Sequence, residues 1–160
     1  MHVNNVSWMV STVQKTCRIK EHKYFDTHLT REESGRLTRY LYYLPYNTHL
    51  IMLTVGNAFG NLTDEAFMEL DSCGVDISDM VEAGKRYTLA ALVVIGSHCK
   101  TMYELYENDP AYLSLQLNGT HNTVMYFHAY PEHPEADLAG LEMASKKSRF
   151  FRFTKKPGLE

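Results

Sequence analysis

His49-Leu50-Ile51-Met52-Leu53-Thr54-Val55 reads as a strand with no wet side. Leu50 and Met52 point one way, Ile51 and Leu53 the other, and both sets are apolar. A strand buried on both faces belongs in the middle of a sheet. Tyr87 to Ile95 repeats the pattern. Its apolar core, Leu89-Ala90-Ala91-Leu92-Val93-Val94-Ile95, is seven residues long. A membrane-spanning helix needs about 20 such residues, so this run is expected to be a buried strand and not an anchor.

Working outward from these two segments, residues 6 to 13 alternate, with Val6, Trp8 and Val10 on one side and Ser7, Met9 and Ser11 on the other. Period two predicts a strand. Gln14-Lys15-Thr16 is a turn, and 17–25 is a second, more charged strand whose Lys20 and Lys23 suit an exposed edge. Thr30 opens a helix, because Thr-x-x-Glu to Glu33 is the capping-box pattern. Leu37, Tyr40, Leu41 and Leu44 then recur on one helical face, and Pro45 stops the helix. Thr63 caps a shorter helix with Asp64 and Glu65 in its first turn and Ala66, Phe67 and Leu70 inside. Asp76 starts another short helix that Gly84 ends. Ser97 is read as the cap of a helix carrying Met102, Leu105 and Tyr106. Residues 112–117 and 120–128 alternate on either side of Asn118-Gly119, which predicts a hairpin with a two-residue turn. The fold class is therefore α+β: a single compact domain, with an antiparallel or mixed β-sheet packed by helices and a β-hairpin in the C-terminal half.

Composition agrees. The chain has 160 residues, 44% hydrophobic and 22% charged, which suits one globular domain able to bury roughly 70% of its unfolded surface. Residues 1–145 form that domain and 146–160 a basic aromatic arm or edge strand. A formal charge of −3 excludes a general DNA-coating protein. The start, Met1-His2-Val3-Asn4-Asn5, lacks the basic cluster and apolar run of a signal peptide. The three cysteines, Cys17, Cys73 and Cys99, include no CxxC pair and suggest neither a disulfide framework nor a zinc site. A reduced, cytoplasmic protein without membrane contact is the expectation. Asn5-Val6-Ser7, Asn61-Leu62-Thr63 and Asn118-Gly119-Thr120 match the glycosylation pattern and are read as chance.

The predicted hairpin places Gln116 opposite His121 and Ser114 opposite Thr123. Leu113, Leu115, Leu117, Val124 and Tyr126 make its core face; Ser114, Gln116, His121 and Thr123 gather on the other. His121-Asn122-Thr123 thus sets an imidazole and a hydroxyl side by side, and His49 opens the central strand. Two histidines on neighbouring strands can share acid–base work, one taking a proton and the other protonating the leaving oxygen.

This pattern resembles the 2H phosphoesterase family, which carries two H-x-T/S motifs on strands of a compact α+β domain. The resemblance implies a small metal-independent phosphodiesterase acting on an RNA end or on a cyclic or oligonucleotide. His49, His121 and Thr123 would be catalytic and Ser114 and Gln116 substrate-binding, with no metal and no cofactor. The first unit departs from the motif, since Ile51 stands where a hydroxyl is needed. His28-Leu29-Thr30 matches literally, but Thr30 is the predicted helix cap.

Other segments carry weaker signals. Lys146 to Lys156 holds six cations and three phenylalanines, a pattern that grips single-stranded nucleic acid or protects an edge strand. His128, Glu132, His133 and Glu135 cluster without a recognised metal-ligand spacing. Glu69, on its short helix, reads equally as a catalytic carboxylate or as part of a solvated helix face. Gly56 to Gly60 lacks the lysine of a phosphate loop. Tyr40, Tyr42, Tyr43 and Tyr46, among eleven tyrosines, surround one helix end, and clustered tyrosine marks binding surfaces. The alternative to an enzyme is thus a non-catalytic binding or inhibitory module, self-associating as a homo-oligomer, that uses the tyrosine-rich surface or the basic tail.

Overall fold

The strand at Trp8–Val13 (β1) divides its side chains between two cores. Trp8 and Val10 enter one and Met9 the other. A computed structural model describes residues 7–14, 19–117, 123–131 and 152–156. β1 pairs antiparallel with Ile19–Phe25 (β2) on one side and with His49–Thr54 (β3) on the other. Tyr87–Val94 (β4) follows β3, and Met102–Glu107 (β5) closes the far edge, so the sheet runs β2-β1-β3-β4-β5. Every pairing is antiparallel, and β3 is the central strand. Ala111–Leu117 (β6), Thr123–Ala129 (β7) and Arg152–Lys156 (β8) form a second antiparallel sheet.

Two helices cover one face of the larger sheet and the smaller sheet covers the other. The helices are Arg31–Tyr42 (α1) and Asp64–Ser72 (α2). On the helix side Trp8, Phe25, Met52 and Leu89 meet Leu37 and Leu41 of α1 and Leu70 of α2. On the opposite side Met9, Ile51, Leu53 and Ala90 meet Ala111, Leu113 and Phe127. This explains why β3 and β4 are apolar at nearly every position although no neighbour runs parallel to them. Each face of the sheet has its own covering layer. The α+β single domain is as expected, and the antiparallel alternative holds within both sheets. The two sheets meet in one parallel bridge, Val55 to Tyr130.

Both helix starts behave as capping chemistry predicts. Thr30 accepts from the Glu33 amide and Thr63 from the Ala66 amide. The capping box at Thr30 is only half formed, because Glu33 reaches past it to accept from the Asp26 amide at 3.0 Å. Ser34, fully buried, accepts from the Thr63 amide at 2.9 Å and joins the start of α2 to α1. Trp8 donates its indole N–H to the Ala58 carbonyl at 3.1 Å, pinning the loop after β3.

Three expectations need correction. Residues 102–107 are a strand, not a helix; His98–Lys100 is a single 3₁₀ turn, and Ser97 makes no side-chain cap. Met102, Leu105 and Tyr106 have helical spacing, but Tyr103 and Leu105 pack on the helix-side core two residues apart. Residues 76–84 form turns and not a helix, though Gly84 does take a left-handed φ of 83°. The hairpin register also differs. Leu117 pairs with Thr123, Ser114 with Tyr126 and Gln116 with Val124, so five residues connect the strands instead of two. The odd offset exchanges the faces of β7, and Phe127, only 1% exposed, stands opposite Leu113. Burial of Phe127 decides the register over the turn dipeptide.

Candidate binding face

Of the residues in the expected acid–base constellation, the structure describes few side chains. His49 heads β3 and is exposed, with Nδ1 3.0 Å from the Asn47 carbonyl. Ile51 is wholly buried between the sheets and supplies no hydroxyl to that imidazole. His121 and Asn122 lie outside the described residues. Thr123 begins β7 opposite Leu117, and not opposite Ser114. In the reserve unit, Thr30 is engaged as the α1 cap, and the His28 carbonyl accepts from Asn61 at 2.5 Å. The expected pairings of Gln116 with His121 and Ser114 with Thr123 are replaced by the register described above.

The other candidates are placed as follows. His128 lies edge-on to Tyr112 with ring centroids 4.8 Å apart, and His133, Glu132 and Glu135 are outside the described residues. Among the described residues no group of three or more His, Cys, Asp or Glu side chains is arranged to hold a metal ion. Partial burial pushes the Glu69 carboxyl up. Burial, with Glu69 nearby, pushes the Cys73 thiol to about 12. A cavity of about 760 Å³ opens between α2 and residues 78–86, with Phe59, Phe67 and Val81 beside Asp64, Asp71 and Arg86. Lys85 at its rim is tied to Glu82 at 3.0 Å and Glu107 at 3.5 Å. No helix among the described residues is long and apolar enough to cross a membrane.

Among the described residues, the strongest local concentration of exposed aromatic surface is at the C-terminal end of α1. Leu37 and Leu41 turn inward, which forces Tyr42 and Tyr43 outward at 65% and 78% exposure. Their rings meet edge to face at 5.0 Å. The chain then reverses through Asn47, whose φ of 66° asparagine tolerates better than most residues. The Asn47 amide is held by the Ile95 carbonyl at 2.8 Å, and the Ile95 amide by Thr48 at 2.9 Å. Tyr46, 81% exposed, lies over Gly96 so closely that a Cβ there would meet its ring at 2.8 Å. Gly96 also has a φ of 85°, so the turn requires glycine on two counts.

Beside these tyrosines, Tyr40 packs against Phe25 with ring centroids 5.7 Å apart, and burial pushes its phenol up, Glu21 adding to the effect. Arg36 stacks over the same Phe25 ring at 4.4 Å and grips Glu33 through Nε at 2.7 Å. The tyrosine cluster is visible in the sequence. Lys23 beside it is not, because it comes from β2 and only packing brings it to Arg36 and Arg39 of α1.

The fold and this surface define a three-layer α+β module with a tyrosine-bearing contact face. Residues 5–97 match the family described as Interleukin-like EMT inducer, more than half of the chain, and the chain belongs to that family. No curated protein matches the chain. The match spans β1 to β4, α1 and α2 and the whole tyrosine cluster. It overturns the 2H phosphoesterase resemblance, and with it the hydrolase and phosphodiesterase reading. The roles given to His49, His121, Thr123, Ser114 and Gln116 were what that resemblance implied. Three-residue H-x-T units arise easily in a chain with eight histidines.

Proposed function

We propose that the chain is a non-catalytic recognition module that engages a protein partner through the tyrosine face at the end of α1. The carrying observation is that Tyr42, Tyr43 and Tyr46 are all more than 60% exposed and lie within the segment that matches an interleukin-like family. Tyrosine combines contact area, few rotatable bonds and a polar tip, which favours interfaces over bare surface. An interleukin-like module acts by contact, and such a face supplies contact.

The test is binding of the fluorescent full chain to intact cells, with unlabelled chain as competitor. Saturable, competed binding is expected. Unlabelled chain carrying Tyr42→Ser and Tyr43→Ser should compete at least about tenfold less well, the size of a modest hot spot. Its unfolding midpoint should stay near the wild-type value, since exposed substitutions act within about 0.5 kcal/mol. Equal competition by the variant would overturn the assignment of the face, and unsaturable binding would overturn the reading itself.

A further inference from the structure

A groove of about 480 Å³ runs between β2 and the C-terminal half of α1. Its floor is apolar, made by Phe25 and Leu44. Its walls carry Lys23, Arg36, Arg39, Tyr40 and Tyr43. Arg36, Arg39 and Tyr40 of α1 and Tyr43 at its C-cap are spaced as one stripe of a helix, and Lys23 shares a strand face with Phe25 two residues on.

The three cations are not equivalent. Arg36 is held rigidly by Glu33, by the Tyr24 carbonyl and by the Phe25 ring. Lys23 and Arg39 make no ion pair among the described residues. Between them the Tyr40 hydroxyl is buried and has no hydrogen-bond partner among the described residues. A buried hydroxyl left in that state is costly, and an anionic oxygen in the groove would relieve it.

Two carboxylates limit what the groove accepts. Glu33 is engaged by Arg36, and Glu21 lies close enough for its charge to act on Tyr40. The remaining cationic excess is small, and the whole chain is net negative at −3. A polyanion would meet these carboxylates as well as the cations, whereas one isolated carboxylate need not. The apolar floor continues into the tyrosine face, which favours a ligand with a hydrophobic neighbour beside its charge.

We infer that this groove receives a single carboxylate side chain from an acidic segment of a protein partner, with an adjacent aromatic or apolar residue lying against Tyr43. The inference rests on the recognition-module reading and names the chemistry that the partner presents.

The test is an NMR titration of the isotope-labelled full chain with the blocked peptide acetyl-Gly-Glu-Phe-Gly-amide. Its glutamine counterpart, inorganic phosphate and a sulfated hexasaccharide serve as comparison probes. The glutamate peptide should shift the resonances of Lys23, Arg39 and Tyr40 saturably. The glutamine peptide should bind roughly tenfold more weakly, as should the glutamate peptide to a Lys23→Gln, Arg39→Gln double variant. Tyr40→Phe should weaken peptide binding several-fold without lowering the thermal midpoint, a split that loss of structure would not produce. Equal binding of the two peptides, or shifts confined to other residues, would overturn the inference. So would tighter binding of phosphate or the hexasaccharide at the same resonances. A silent groove alongside intact tyrosine-dependent cell binding removes this inference alone. A responsive groove without cell binding removes the recognition-module reading and leaves the carboxylate chemistry standing.

Discussion

The two faces of the five-stranded sheet are buried in different ways. The helix side is filled by large side chains, Trp8, Phe25, Met52 and Leu89 among them, and is laced with polar ties. Trp8 holds the Ala58 carbonyl, Ser34 holds the start of α2, and Glu33 holds the Asp26 amide. The opposite face is a smaller cluster with alanines at Ala90, Ala111 and Ala129, and Phe127 is the largest of its buried side chains among the described residues. The helix side therefore fixes orientation as well as burial, and it carries the tyrosine face and the cationic groove. The second sheet acts chiefly as a lid over β3 and β4.

The largest expected effect sets these faces against each other. Trp8→Ala should cost about 3–5 kcal/mol, since it leaves a cavity and removes one of the two hydrogen bonds to the Ala58 carbonyl, which keeps only that from the Thr27 hydroxyl. Phe127→Ala should fall at the lower end of that range, about 3 kcal/mol, because a phenyl ring is smaller than an indole and carries no N–H to donate. Urea unfolding followed at unchanged slope compares the two directly. A larger loss for Phe127→Ala would reverse the comparison and make the second sheet the principal support.

How much of this could be read from residues alone follows the same division. The doubly buried strands β3 and β4, the charged edge β2 and both helix caps were legible, because each leaves a local period or a capping residue. The second covering layer was only partly so. Asn118-Gly119 suggests a tight turn, but register is set by Phe127 meeting Leu113, a contact whose burial comes from the larger sheet beneath. Residues 102–107 misled because Met102, Leu105 and Tyr106 fit a helix as well as a strand until a neighbour supplies hydrogen bonds. The tyrosine cluster stands out because its members are close in sequence. The groove does not, since Lys23 and Arg39 are brought together only when α1 packs on β2.

An intermediate effect tests whether the polar ties matter independently of burial. Ser34 is fully buried, accepts from the Thr63 amide and lies 3.1 Å from the Thr63 hydroxyl. Ser34→Ala removes little volume but leaves the start of α2 without its partner. A loss of about 1–2 kcal/mol is expected, below both core substitutions. An unchanged midpoint would mean that the helix side is held by apolar packing alone, and the contrast with the second sheet would shrink to one of size.

The smallest effect is a pH dependence confined to the helix side. Hydrogen bonding to Arg36 holds the Glu33 carboxyl below the usual carboxylate range, and the Asp26 amide adds to this against the opposing effect of partial burial. A carboxyl whose folded value is depressed stabilises the native state fully above its unfolded value, about 4.3, and loses that contribution as pH falls through the folded value. Much of the pair is solvent-exposed, so the effect is modest. Thermal midpoints of the wild type and Glu33→Gln should therefore differ near neutral pH, with the wild type higher. The gap should narrow as pH falls from about 4.3, where the unfolded carboxyl protonates, through the depressed folded value, below which the native carboxyl is protonated too and the two chains carry the same charge. A gap that persists unchanged at low pH would assign the effect of the substitution to shape, and Glu33 would then tie α1 to β2 as a neutral hydrogen-bond acceptor and not through its charge.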